Sequence, residues 1–250
     1  MPNAPQTPSA TGASSTASPG RRTTRVPGLF YLLMGLPSVF NLQYMPAAFI
    51  VSGDPAATAQ KITSGTLLYR IGILSGLVAN IGFLVLAWIL YDVFRHVDRR
   101  QARLLVLFVS VSVAIGILNE LTHYAPLVML SGAHFLSAFD RPQLEALSYA
   151  SLRLHAEGLA LNAAFWGLWL IPFGILVVRS GFLPRIIGYC LLTGAVSYLV
   201  LCVASIVFPA SRVTVYNLML PLFAIGELPI LLWLLIKGVP VRSAEPQVAA

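Results

Sequence analysis

The chain has 250 residues, of which 57% are hydrophobic and only 10% charged, with a mean hydropathy of +0.80 and a net charge of +7. A soluble domain carries roughly a quarter charged residues, so this balance excludes a soluble enzyme or binding module and identifies a polytopic membrane protein. The basic residues fall in small clusters between apolar runs, with no continuous stripe, which excludes nucleic acid as the partner and points to membrane topology.

Spanning segments of roughly 20 residues divide a chain of this length into about half a dozen helices, so the expected fold is an all-α transmembrane bundle. Residues 1–24 are rich in Pro, Ser, Thr and Ala and read as a disordered cytoplasmic tail, because they bury too little apolar surface to offset ordering entropy. Arg21, Arg22 and Arg25 precede the first span, 27–51, which is too long for a signal-peptide core and lacks a small-x-small cleavage site. It is read as uncleaved and kinked at Pro37.

Asp54-Pro55 begins a short polar helix, with Asp54 capping free amides and Pro55 at the first helical position. The second span is 67–94 and the third 103–131, joined by a compact charged loop through Arg95, Asp98, Arg99 and Arg100. Residues 132–148 read as a mixed loop with one amphipathic turn, before the fourth span at 149–178. Gly181 ends that helix and Pro184 begins the next. The fifth span is 185–209 and the sixth 214–237, and residues 241–250 form a short cytoplasmic tail. The six-helix domain is thus 25–240.

With the N-terminus cytoplasmic, eleven of the sixteen Lys and Arg residues fall on the inner side, as the positive-inside rule requires. Both termini are therefore expected inside, in a bacterial inner membrane. The partner is the lipid bilayer, with a small-molecule ligand as a further candidate. Cys190 and Cys202 lie twelve residues apart in one apolar run, about 18 Å if helical, too far to bridge.

Several stretches together resemble a large, mostly bacterial multi-pass family known as domain-of-unknown-function family 4386. They are Gly53-Asp54-Pro-Ala-Ala-Thr-Ala with Leu68-Tyr69-Arg70-Ile-Gly72-Ile, the run from Arg179 to Gly188, and the closing segment from Gly226-Glu227-Leu-Pro to Lys237-Gly-Val. The resemblance covers roughly 25–240 and implies a six-helix bundle with no assigned activity. His155 resembles a histidine that the family often carries near the start of this span, whereas Glu120 and His123 match no motif of it.

The residues that call for a function are polar groups inside apolar runs. Asn119, Glu120 and His123 lie in the third span, in Gly116-Ile-Leu-Asn-Glu-Leu-Thr-His-Tyr124, and a charge near mid-bilayer costs at least ~2.5–3.5 kcal/mol on insertion scales. Glu120 and His123 share a helix face at i, i+3, as His155 and Asn162 do in the fourth span. Counted from the basic inner edge, these residues and Arg70 form a polar layer toward the outer boundary, while Glu227 stands apart near the midplane. In that layer Arg70 is expected to pair with Glu120 or Glu157, or Glu157 with Arg153, while Asn80 is the candidate partner for Glu227.

Three functions remain open at this point. The first is a protein that binds or moves a small molecule through an outward-facing polar pocket, lined by Glu120, His123, His155, Asn162, Asn119 and Arg70, with Glu227 as a proton site. The second is an intramembrane enzyme that uses a metal or haem held by Glu120, His123 and His155, since Glu-x-x-His presents a carboxylate and an imidazole together. The third is a membrane scaffold without pocket chemistry. No cofactor is predicted outright, and no Gly-x-Ser-x-Gly elbow or phosphate-binding glycine loop supplies another chemistry. Tyr31, Tyr69, Trp88, Tyr91 and Trp233 read as interfacial anchors, and Gly72, Gly76 and Gly82 as points of close helix approach.

Overall fold

The computed structural model describes residues 23–240, so the expected tails over 1–22 and 241–250 lie outside the described residues. Among the described residues, six helical segments are long and apolar enough to cross a membrane. The first is α1 (Val26–Val39), a wide π turn over Phe40–Tyr44, and α2 (Met45–Phe49). The departure from regular helix falls just after Pro37 and before Pro46, the two residues that cannot donate to the ladder.

The short α3 (Pro55–Ser64) follows, with the Asp54 carboxylate accepting from the Ala57 amide at 2.9 Å. The remaining spans are α4 (Thr66–Phe94), α5 (Arg99–Met129), α6 (Arg141–Ser180), α7 (Arg185–Val207) and α8 (Arg212–Ile236). Gly181 ends α6 at φ 71°, a left-handed turn open to glycine without Cβ strain.

The fourth span corrects the sequence reading. Residues 141–148 are not loop but the first two turns of a 40-residue helix. Asp140 and Gln143 form a reciprocal capping box, and Arg141 pairs with Glu145 at 2.6 Å, so the start is fixed locally. At ~1.5 Å per residue the helix is about 60 Å long, well beyond a ~30 Å core, and its projecting end packs on α3.

The spans close into a ring, α1 touching α4, then α4–α5, α5–α6, α6–α7, α7–α8 and α8 back to α1. Outside, the ring presents exposed Leu, Ile and Val, such as Leu74, Ile81, Leu118, Val203 and Leu232, while Ser112, Glu120, His123, His155 and Asn162 are buried. That is the pattern of helices in lipid, which have no hydrophobic reason to hide apolar side chains from their surroundings. Thr23–Thr24 (β1) pairs antiparallel with Val239–Pro240 (β2), so these two threonines are ordered and the chain enters and leaves the bundle at one end.

Two apolar clusters hold the ring. The larger packs Leu86, Leu90, Phe94, Leu105, Phe173 and Leu176 toward the end where β1 meets β2. The smaller packs Met45, Phe49, Ile62, Tyr69, Ile73 and Leu152 at the opposite end.

Candidate functional site

Between the two clusters lies a cavity of about 410 Å³, with walls supplied by all six spans. Its polar wall residues include Tyr31 and Asn41 from the first span, Asn80 from α4, Glu120 from α5, Asn162 from α6, Tyr198 from α7 and Glu227 from α8. Phe83, Trp166 and Trp169 give it aromatic faces. Leu36, Val39 and Leu228 also line it while being exposed on the outer surface, so it opens sideways between α1 and α8.

At one end Glu227 is held by two hydroxyls. Tyr31 donates to Oε2 at 2.6 Å and Tyr198 to Oε1 at 2.8 Å. The α7–α8 contact makes this possible, because Gly194 and Gly226 meet backbone to backbone and a Cβ on Gly194 would lie 3.0 Å from the Gly226 Cα. Tyr198 follows Gly194 by one turn and Glu227 adjoins Gly226, so the close crossing delivers both side chains to one place.

At the other end Glu120 packs on Gly76 of α4, where the lack of a Cβ leaves room for its carboxylate and the Asn41 amide. His123 Nδ1 lies 3.2 Å from Glu120 Oε2, and the Tyr69 hydroxyl donates to the His123 carbonyl at 2.8 Å. His155 crosses from α6, its ring centroid 4.5 Å from that of His123. Its Nδ1 lies 3.1 Å from the Asn119 carbonyl, while the Asn119 amide donates back to the His155 carbonyl at 2.9 Å. A carbonyl only accepts, so in the neutral ring His155 carries its proton on Nδ1 and keeps Nε2 as a lone pair.

Both histidines line a second cavity of about 80 Å³, which shares Asn41 and Leu159 with the larger one. Ligand atoms from Glu120, His123 and His155 all lie within 4.8 Å of one another, and all three residues are buried. Such a group has the composition of a three-ligand metal site with an open position.

The sequence profile described as "Domain of unknown function (DUF4386)" matches residues 26–238. The chain belongs to the DUF4386 family. No curated protein and no solved structure matches it.

Relative to the expectations, this DUF4386 chain brings Glu120, His123 and His155 together and puts Asn162 in the wall of the larger cavity. It leaves Arg70 exposed and outside both cavities, and Asn119 serves as a brace between α5 and α6. Glu227 does not stand apart: it lines the same cavity as Glu120. Its partner is not Asn80, whose amide donates to the Gly76 carbonyl at 2.9 Å.

Glu157 pairs with Arg212 at 2.7 Å in preference to Arg153, because Arg212 also reaches the Ala156 carbonyl at 2.7 Å from the start of α8. Tyr31 and Tyr69 are buried hydrogen-bond donors where the sequence suggested interfacial anchors. Nothing in the hydropathy of their spans separates the two roles. The one usable signal for Tyr31 and Tyr198 was chemical, since a lone carboxyl at mid-span needs donors and these are hydroxyls at compatible depth.

Proposed function

We propose that this protein binds or moves a small molecule through the cavity inside its ring of helices, with Glu120, Asn162 and Glu227 as its polar contacts. The observation that carries this reading is the size and lining of the cavity. At about 410 Å³ it lies within the range of ligand sites, ~300–1,000 Å³, mostly apolar with a few polar groups placed among apolar walls.

Glu227 is the candidate proton site of this reading. Intramembrane carboxylates along a pathway are what proton relays use, and Tyr31 and Tyr198 hold this one in place. The working orientation puts both termini in the cytoplasm of a bacterial inner membrane, supported by eleven of sixteen Lys and Arg residues on that side. The test is equilibrium binding of candidate solutes to detergent-purified protein, and uptake into vesicles, for wild type beside Glu227→Gln. Proton coupling requires that the substitution abolish the pH dependence of transport, and an unchanged profile removes that role.

A second reading has its own observation, the grouping of Glu120, His123 and His155 within 4.8 Å. In it these residues hold a transition metal ion, with the smaller cavity supplying the open position. The Asn119 carbonyl on His155 Nδ1 is the kind of outer contact that orients a metal-ligating imidazole. Elemental analysis and a visible spectrum of purified protein decide it, with wild type set beside His123→Ala and His155→Ala. Stoichiometric metal lost in both variants supports the reading, and metal-free wild type ends it.

A further inference from the structure

The walls of the larger cavity are one-sided in charge. Among the described residues its carboxylic acids are Glu120 and Glu227, and no Lys, Arg or His lines it. Glu120 has His123 beside it, but both oxygens of Glu227 meet only neutral hydroxyls.

Three of the side-chain amides each commit one of their two N–H donors to a backbone carbonyl. Asn41 donates to the Gly72 carbonyl at 3.0 Å, Asn80 to the Gly76 carbonyl at 2.9 Å and Asn162 to the Ser112 carbonyl at 3.1 Å. The Asn162 Oδ1 is buried without any partner among the described residues, and the residue is only 2% exposed. A buried polar atom without a partner is costly and calls for an explanation. That oxygen is closed off within the wall and not open to the cavity, so charge and aromatic surface decide the occupant.

Trp166, Trp169, Phe83 and Tyr198 complete the lining with aromatic surface. Aromatic faces attract cations through their quadrupole, more strongly once water is excluded. The Glu227 carboxyl, met by hydroxyls and no cation, and the aromatic walls both favour a positively charged N–H donor with an apolar body. We propose that the cavity takes an organic ammonium ion, its N–H groups directed at Glu227 and its hydrocarbon part against the tryptophans. The sideways opening between α1 and α8 suits such an amphiphile, since its apolar part partitions into lipid. This inference rests on the small-molecule reading of the cavity and names the class of molecule.

The test compares three probes of one shape on purified full-length protein: radiolabelled phenethylamine, neutral 2-phenylethanol and anionic phenylacetate. The expected result is saturable binding of phenethylamine at least tenfold tighter than the alcohol, with no binding of phenylacetate. Glu227→Gln is expected to bring the amine to within about threefold of the alcohol. The ratio between probes on wild type decides the matter even where a variant fails to fold. Equal binding of amine and alcohol, or a preference for phenylacetate, overturns the cationic class while leaving a small-molecule cavity. Absence of saturable binding by all three overturns the ammonium proposal, and binding of an unrelated solute in the broader screen would then keep the cavity reading alone.

Discussion

The Tyr31 hydroxyl reaches from α1 to the neighbouring α8 to donate to Glu227 Oε2 at 2.6 Å, and Tyr198 holds the other oxygen from α7. One carboxyl therefore ties three helices together at the cavity wall. Removing one hydroxyl leaves a buried acceptor short of a partner, so Tyr31→Phe is expected to lower stability by about 1–3 kcal/mol. Because Tyr198 shares the same carboxyl, the Tyr31→Phe, Tyr198→Phe pair should depart from additivity by at least ~0.5 kcal/mol. Unfolding in mild detergent of the two single variants and the double variant measures this, and strict additivity would disprove the shared site.

Gly76 makes room for the carboxylate of Glu120. A methyl at that position overlaps Glu120 Oε1 and comes within 2.7 Å of the Asn41 amide nitrogen. Both are ends of flexible side chains, so Gly76→Ala is expected to leave the bundle folded at a cost of about 1–3 kcal/mol. Glu120 must swing away, which separates it from His123. Metal content or probe binding should therefore fall in Gly76→Ala while the protein still elutes as a folded species. Unchanged binding would show that the position of Glu120 is immaterial.

The Gly194–Gly226 crossing is less forgiving, because the neighbour is backbone. Gly194→Val is expected to push α7 from α8, break the Tyr198–Glu227 hydrogen bond and cost more than Gly76→Ala. Gly82→Ala is the control, since a methyl there would meet only Met34, at 3.4 Å. Thermal melts of the three variants should rank Gly194→Val lowest and Gly82→Ala nearest wild type.

Outside the membrane, acid sensitivity is expected at Asp98, which begins α5. The Gln101 and Arg100 amides and the Arg179 guanidinium, 2.6 Å away, hold its carboxyl below the usual Asp value. A group whose acidity is strengthened by folding stabilises the native state above its unfolded value, ~3.9. That contribution is lost as pH falls through the lower, folded value. Asp98→Asn should therefore flatten the decline in stability of the wild type below about pH 4. Denaturation midpoints from pH 3 to pH 7 check it, and parallel curves for the two proteins would refute the assignment.

Much of this architecture was legible in the chain because lipid imposes a simple rule. Each of the six spans needed a long apolar run, and two helix ends carried their own signals in Asp54-Pro55 and Gly181. Residues 141–148 were misread because their capping box and ion pair, though local, sit in a segment too polar to span. The grouping of Glu120 with His123 was readable from helical phase. The place of Arg70 was not, since an arginine at a span boundary can turn inward or outward at similar cost.

The amino-acid sequence by itself determined a six-span bundle and the helix face that Glu120 and His123 share. Those quantities depend on hydropathy and on the 3.6-residue period, which are properties of single segments. Only the tertiary structure decided that α8 returns to α1, that Tyr31 and Tyr198 meet Glu227, and that Glu120 and Glu227 line one cavity. Helices in a membrane associate through close packing of small residues and through hydrogen bonds between segments. Which glycine meets which backbone is a property of pairs of helices, and no single span carries it.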